Sequence, residues 1–342
     1  MSAPAPVAAP WTSATPTTSR RGHFWVPGER VAGDDGAVRA KGPMFVAWEA
    51  PPQDTGRPPV VLVHGGGGQG TDWLGTPDGR PGWAAGFVAA GYPTLVVDRP
   101  GHGRSPAHPD VVGALGPQFD YGTGEALFFP DRADHTRWPL DRGDDAATDR
   151  WIAPLGALPV DLAESQRMDA DRLAALLDTI GPAVVVTHSA GGPCGWLLAD
   201  RRPRLVRALV AVEPIGPAFA TFPGIGTLDW GLTAAPLTYD PPRASAADAR
   251  AADPSTLRVP AWSGLPVALV TGGASAFADF ADDVVASLAV GGADVERVHL
   301  PDHGVTGNGH ALTYETNSDE TLAVVLRWLD ARVPAPAPRE EP

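Results

Sequence analysis

The sequence predicts an α/β fold: a mostly parallel, eight-stranded sheet with helices on both faces and a cap inserted over one end. Three observations predict it. Six short β-branched runs, PPVVLVHG (58–65), YPTLVVDRP (92–100), PAVVVTHS (182–189), LVRALVAVEP (205–214), PVALVTGG (266–273) and DVERVHLP (294–301), show no clear polar alternation, as expected of strands buried on both faces. Helical spacing fills most of the gaps, at 82–91, 168–181, 193–202, 276–292 and 318–333, and strands alternating with helices imply crossovers and a parallel sheet. Before them, GHFWVPGERV and PMFVAWEAP flank the turn-rich AGDDGA. They predict an antiparallel start and bring the strand count to eight.

Two stretches break this rhythm. Residues 104–165 and 215–264 are rich in Pro, Gly, Asp, Trp and Phe, and each is too long for an ordinary loop in a compact domain. They read as cap or lid excursions over the strand ends of a single domain spanning 22–333. Residues 1–21, with their Pro/Ala/Ser/Thr bias, read as a disordered leader, and PAPAPREEP (334–342) as a disordered tail.

The chain of 342 residues, 43% of them apolar, can bury a sizeable core. A formal charge of −14 argues against nucleic acid and anionic membranes as partners, since both present phosphates that repel such a surface. Cys194 stands alone, which removes an intrachain disulfide and a cysteine zinc site. No metal or cofactor is expected. The chain starts without a basic segment leading into an apolar run, and no run reaches membrane-spanning length. A cytoplasmic address is the default, with export by another route left open.

The chemistry centres on Thr187-His188-Ser189-Ala190-Gly191, where the run PAVVVTHS ends and a helical pattern begins. A nucleophile on a strained strand-to-helix turn needs small neighbours, and Ser189 has Ala190, Gly191 and Gly192 after it. Upstream, VVLVHGGGGQGTDW brings a glycine-rich loop to a strand end. Such a loop lets backbone N–H groups approach a developing oxyanion, and Gly66 and Ala190 are the expected donors. No Lys-Ser or Lys-Thr pair follows these glycines, and they match a dinucleotide fingerprint poorly.

A general base is expected beyond the last strand, where LPDHGVTGNGHALTYETN offers His303 and His310. His310, between a glycine-rich turn and the final helix, is preferred. His64, His102, His188, His299 and His303 read as structural. The acid that orients the base usually follows the seventh strand, where TGGASAFADF offers only Asp279. Glu213 instead ends the sixth strand before a proline, and a carboxylate there needs a partner; it is favoured over Asp279. Asp98 and Arg99, in VVDRPGHGRSP, read as shaping the floor of the site. Phe128, Phe129, Trp138 and Trp151 are candidate walls of an apolar substrate pocket.

Taken in order, HGG, TPDGRPGW, VVDRPGHGRS, HTRWP, THSAGG, VEPIGP and GNGH closely resemble the bacterial 713-type esterases of the α/β-hydrolase superfamily, over roughly residues 22–331. The resemblance implies the α/β-hydrolase fold and a Ser-Glu-His triad, which falls on Ser189, Glu213 and His310. It also implies a homodimer. One departure is Ala190, where relatives commonly carry glutamine. The expectation is a carboxylic ester hydrolase working through an acyl-enzyme on a small-molecule ester. A lactonase, amidase or acyltransferase using the same triad is the alternative, and a non-catalytic small-molecule receptor the more distant one.

Overall fold

The computed structural model describes residues 16–223 and 225–333. The β-branched runs form one eight-stranded sheet: β1 (Arg20–Val26), β2 (Met44–Ala50), β3 (Val60–Val63), β4 (Thr94–Asp98), β5 (Ala183–His188), β6 (Val206–Val212), β7 (Pro266–Thr271) and β8 (Asp294–His299). Their order across the sheet is β1-β2-β4-β3-β5-β6-β7-β8. Pairings β1–β2 and β2–β4 are antiparallel and the rest parallel. The central strands β3, β4 and β5 are buried along their whole length, whereas the edge strands β1 and β8 are only partly covered. That difference explains the missing alternation: a strand covered on both faces has no polar side to show.

Seven helices matter for the site: α1 (Trp83–Ala89), α2 (Tyr121–Phe128), α3 (Asp145–Ile152), α4 (Leu162–Ile180), α5 (Gly192–Arg201), α6 (Ala281–Gly291) and α7 (Ser318–Arg332). Successive strand residues feed opposite layers. Val61, Val63, Val185 and Leu209 pack with Leu173 and Leu177 of α4, Trp196 of α5 and Leu288 of α6. Their neighbours Val60, Leu62, Val184 and Val210 pack with Phe87 of α1 and with Leu322, Val325 and Leu329 of α7. The result is a helix–sheet–helix sandwich with two cores.

The described residues move two expected boundaries. The leader was expected to run to residue 21, but β1 begins at Arg20, paired with Ala50, and Arg20 Nε donates to the Pro51 carbonyl at 3.0 Å. Ladder and side-chain bonds on both partners draw those two residues into the sheet. Residues 1–15 of the leader and the 334–342 tail lie outside the described residues. The first excursion ends before residue 165, because Asp161 caps α4 by accepting from the Glu164 N–H. An Asp followed three residues later by Glu is a helix-start signal. Within that excursion α2 and α3 form the cap. The second excursion is mostly irregular, with a short hairpin of Thr221–Phe222 and Gly226–Thr227.

The strand-to-helix turn from β5 into α5 carries Ser189 at φ 51°, a left-handed angle costing a non-glycine residue about 1–3 kcal/mol. Gly191 closes this turn against the neighbouring loop, and a Cβ there would lie 2.6 Å from the His64 carbonyl oxygen. Backbone must move to admit a methyl group. Gly191→Ala is therefore expected to cost roughly 1–3 kcal/mol in urea unfolding, with a greater than tenfold loss of turnover. Wild-type stability and activity would contradict this packing.

Candidate active site

Three chain segments far apart in sequence meet at Ser189. The loop after β8 places His310 Nε2 3.0 Å from Ser189 Oγ. On the other side of the ring, His310 Nδ1 lies 3.4 Å from Glu213 Oε2. Glu213 follows β6 at φ 48° and is fully buried. Its carboxyl accepts from the Gly272 N–H at 2.6 Å and from the Ser275 hydroxyl. Asp279 sits exposed in the 3₁₀ turn Ala276–Phe280. The carboxyl that reaches His310 is thus the one from β6.

Burial governs the charges. It pushes His310 down to about 3, so the imidazole is neutral at pH 7, with one ring nitrogen unprotonated. Burial pushes the Glu213 carboxyl above its ordinary value, while the Ser275 hydroxyl and Gly272 N–H act the other way by donating to the anion. Rings enclose the imidazole: Phe277 stacks on it at 4.0 Å, with His188 at 4.8 Å and Phe128 at 5.3 Å.

The glycine-rich loop packs directly on the nucleophile turn. A Cβ on Gly66 would stand 3.1 Å from the Ala190 Cβ, so Gly66 and Ala190 flank one small space beside Ser189. Ala190 is the second residue of the helical segment that opens at Ser189, where the first N–H groups lack intrahelical partners. Arg99 holds this loop from below: its N–H donates to His64 Nε2 at 3.0 Å and its Nη1 to the Gly65 carbonyl at 3.2 Å. The guanidinium also pairs with Asp169 of α4 at 2.7 Å, both side chains at 2% exposure or less. Asp98 likewise serves structure, accepting from the Gly70 and Arg104 N–H groups.

The remaining histidines do other work. His188 Nε2 contacts the His310 carbonyl at 3.0 Å, which steadies the base loop. His102 contacts the Pro100 carbonyl, His299 contacts Thr271, and His303 is exposed. A second support for His310 lies beneath it. Glu315, fully buried, accepts from the Gly309 N–H at 2.8 Å and Asn308 Nδ2 at 2.7 Å and bonds His135 of the cap at 2.7 Å.

A cavity of about 650 Å³ opens over Ser189, a size suited to a small organic ligand. Phe128 and Trp151 line it, as expected. Phe129 and Trp138 do not. They stack on each other at 4.5 Å, and each packs edge-on against Trp151 from behind. The apolar wall is completed by Phe119, Leu155, Leu158, Ile215, Phe222 and Phe277.

Sequence reasoning missed Ser275, Phe277, Glu315 and His135. Ser275 had a visible signal, since TGGASAF follows β7 where an acid was sought. Among the described residues no group of three or more His, Cys, Asp or Glu is arranged to hold a metal ion, and no helix is long and apolar enough to cross a membrane.

The buried histidines carry a consequence for stability. Burial holds His188 at about 3 and His102 at about 4, and His64, like His310, lies well below its ordinary 6.5. Each takes up a proton on unfolding once pH falls below 6.5, so stability drops with pH. Asp72, raised to about 7, acts in the opposite sense by holding a proton in the folded state, and Glu213, raised by burial, adds to it in the acid range. Four histidines outweigh two carboxyls. The thermal midpoint is expected to fall steadily from pH 6.5 to 4; a flat or rising midpoint would contradict the neutral histidines.

Comparison with known proteins identifies the fold. Residues 58–245 match the family model described as alpha/beta hydrolase fold. A probable secreted lipase of Fungal sp. (strain ATCC 74256) is 35% identical over 311 residues, covering 81% of this chain and 83% of that protein. A solved structure described as a novel bacterial esterase superposes with a TM-score of 0.68 at 23% identity, covering 93% of this chain and 98% of its own. The fold and the resemblance to a bacterial esterase expected from the motifs are both borne out. With its sheet order, its strand-to-helix turn at Ser189 and these matches, the chain belongs to the α/β-hydrolase fold family.

Proposed function

We propose that the chain is a serine carboxylic ester hydrolase in which Ser189, His310 and Glu213 act as a triad. One observation carries the reading: Ser189 Oγ, on the strained turn and at the floor of an apolar cavity, lies 3.0 Å from a buried, neutral imidazole. As Ser189 attacks the ester carbonyl, His310 Nε2 takes the hydroxyl proton. Glu213 holds the ring through Nδ1 and stabilises the imidazolium that forms. The carbonyl oxygen becomes an oxyanion facing the N–H groups of Gly66 and Ala190; one such donor contributes about 2.7–4 kcal/mol. His310 then protonates the leaving alcohol, leaving an acyl-Ser189 enzyme. Water, deprotonated by the same imidazole, attacks the acyl carbon, and the free acid departs.

The apolar walls favour esters with a bulky apolar group. The relatives described as lipase and esterase support ester chemistry, and Ala190 in place of a larger side chain leaves the backbone donor intact.

Two measurements test the triad. Ser189→Ala is expected to abolish hydrolysis of chromogenic esters, and retained turnover in a clean preparation would refute the nucleophile. Glu213→Gln should lower kcat by roughly 10²–10⁴, whereas Asp279→Asn should leave it within about twofold; the reverse ranking would move the acid to the β7 loop. For the compartment we infer a cytoplasmic address. Cell fractionation should find the chain in the cytosol, and recovery from the medium would instead align it with the relative named as secreted.

A further inference from the structure

The cavity above Ser189 is apolar on almost every side, yet it contains one carboxyl that the proposed hydrolysis does not use. Asp72 lies on the 3₁₀ turn Gly70–Trp73, directly after the glycine-rich loop, and its side chain lines the cavity. Its partners are few. One oxygen accepts from the Gln69 N–H at a long 3.3 Å, and Tyr314 shares the same cavity lining. A carboxylate has about four acceptor sites, and in apolar surroundings an under-supplied one is costly. Burial accordingly pushes Asp72 up to about 7.

Tyr314 comes from the loop that carries His310 and is itself buried. Its phenol oxygen carries lone pairs that can accept a bond from the cavity side. The pair stands close to the reacting groups: the Tyr314 ring is 6.4 Å from His188, which is 4.8 Å from His310. Capping the short turn accounts for one oxygen of Asp72, through the Gln69 N–H. It does not account for a carboxyl and a phenol placed together in a wall otherwise built from Phe119, Phe128, Trp151 and Leu155.

We propose that Asp72 and Tyr314 form a specificity subsite for a hydroxyl group carried on an otherwise apolar ester. In its carboxylate form Asp72 only accepts, and the Tyr314 oxygen has lone pairs to accept with, so the matching group must donate. A hydroxyl fits better than an ammonium, because the Arg150 guanidinium lines the same cavity and repels a second cation. Preferred substrates are therefore hydroxy-substituted apolar esters. A hydroxyl bound here lowers KM, and the plain analogue leaves the buried acceptors without a donor. The inference rests on the esterase reading given above.

The experiment uses the full chain and matched chromogenic esters: a plain medium-chain acyl series, the same chains with a hydroxyl walked along successive carbons, and amino-substituted counterparts. The quantity read is the kcat/KM ratio of hydroxy to plain ester in the wild type, Asp72→Leu and Tyr314→Phe. The wild type should prefer one hydroxyl position about tenfold or more, mainly through KM. Both variants should bring that ratio toward one. Tyr314→Phe, which removes a single oxygen, keeps the test valid if Asp72→Leu fails to fold. No hydroxyl preference at any position, an unchanged ratio in a folded variant, or a larger preference for the amino esters would each overturn the subsite. Fluorophosphonate labelling of the same preparations separates the two readings. Labelled enzyme without hydroxyl preference refutes the subsite alone, while unlabelled enzyme refutes the triad on which it depends.

Discussion

Ser189 is held at a left-handed backbone angle between β5 and α5, and the surrounding structure depends on keeping that turn closed. A side chain at such an angle costs free energy that only dense surroundings can offset. Here β5 is buried along its length, Gly191 lets the turn approach the His64 carbonyl, and the loop bearing Gly66 packs against Ala190. Arg99 and Asp169 brace that loop from beneath as a buried ion pair. Breaking one partner of such a pair leaves an uncompensated charge and costs about 3–5 kcal/mol. The pair therefore sets the position of the glycine-rich loop more than it adds to net stability.

The same logic of burial shapes the proton chemistry. His310 lies among Phe277, Phe128 and His188, which keeps it neutral and ready to act as a base. A buried imidazole that gains charge needs a carboxylate beside it, and in the proposed triad Glu213 fills that place from the end of β6. The loop after β7 still contributes. Its Ser275 hydroxyl donates to the same Glu213 oxygen that faces His310 Nδ1. Where an acid would sit in the more common arrangement, this chain carries a donor that orients the acid of the neighbouring strand. On the cap side, His135 reaches down to Glu315 and ties α2, α3 and their loops to the segment preceding His310.

The sheet was legible in the sequence because strands buried on both faces are mostly apolar, and β3 to β7 follow that rule, with polar residues such as Asp98, His188 and Arg207 falling at or near strand ends. Ser189, His310 and Gly66 were legible because strained turns and glycine-rich loops leave local marks. Glu213 was legible for a related reason, since an acid ending an apolar strand demands a partner. The cap was less so. Nothing local distinguishes Phe128 and Trp151, which face the cavity, from Phe129 and Trp138, which stack behind them; all four lie in short elements whose orientation is set by tertiary contact. Asp72 was hidden for the same reason: Tyr314, which shares its cavity lining, is 242 residues away along the chain.

The central claim is that Ser189 is activated by His310 beneath donors from Gly66 and Ala190. It is tested most directly by a crystal structure of the enzyme inactivated with an alkyl fluorophosphonate. The account predicts a single phosphonyl adduct on Ser189 Oγ, with its phosphoryl oxygen within 3.2 Å of the Gly66 and Ala190 nitrogens, as charge-stabilising donors require. His310→Ala should slow formation of that adduct by orders of magnitude. An adduct on any other residue, or a phosphoryl oxygen turned away from both nitrogens, would contradict it.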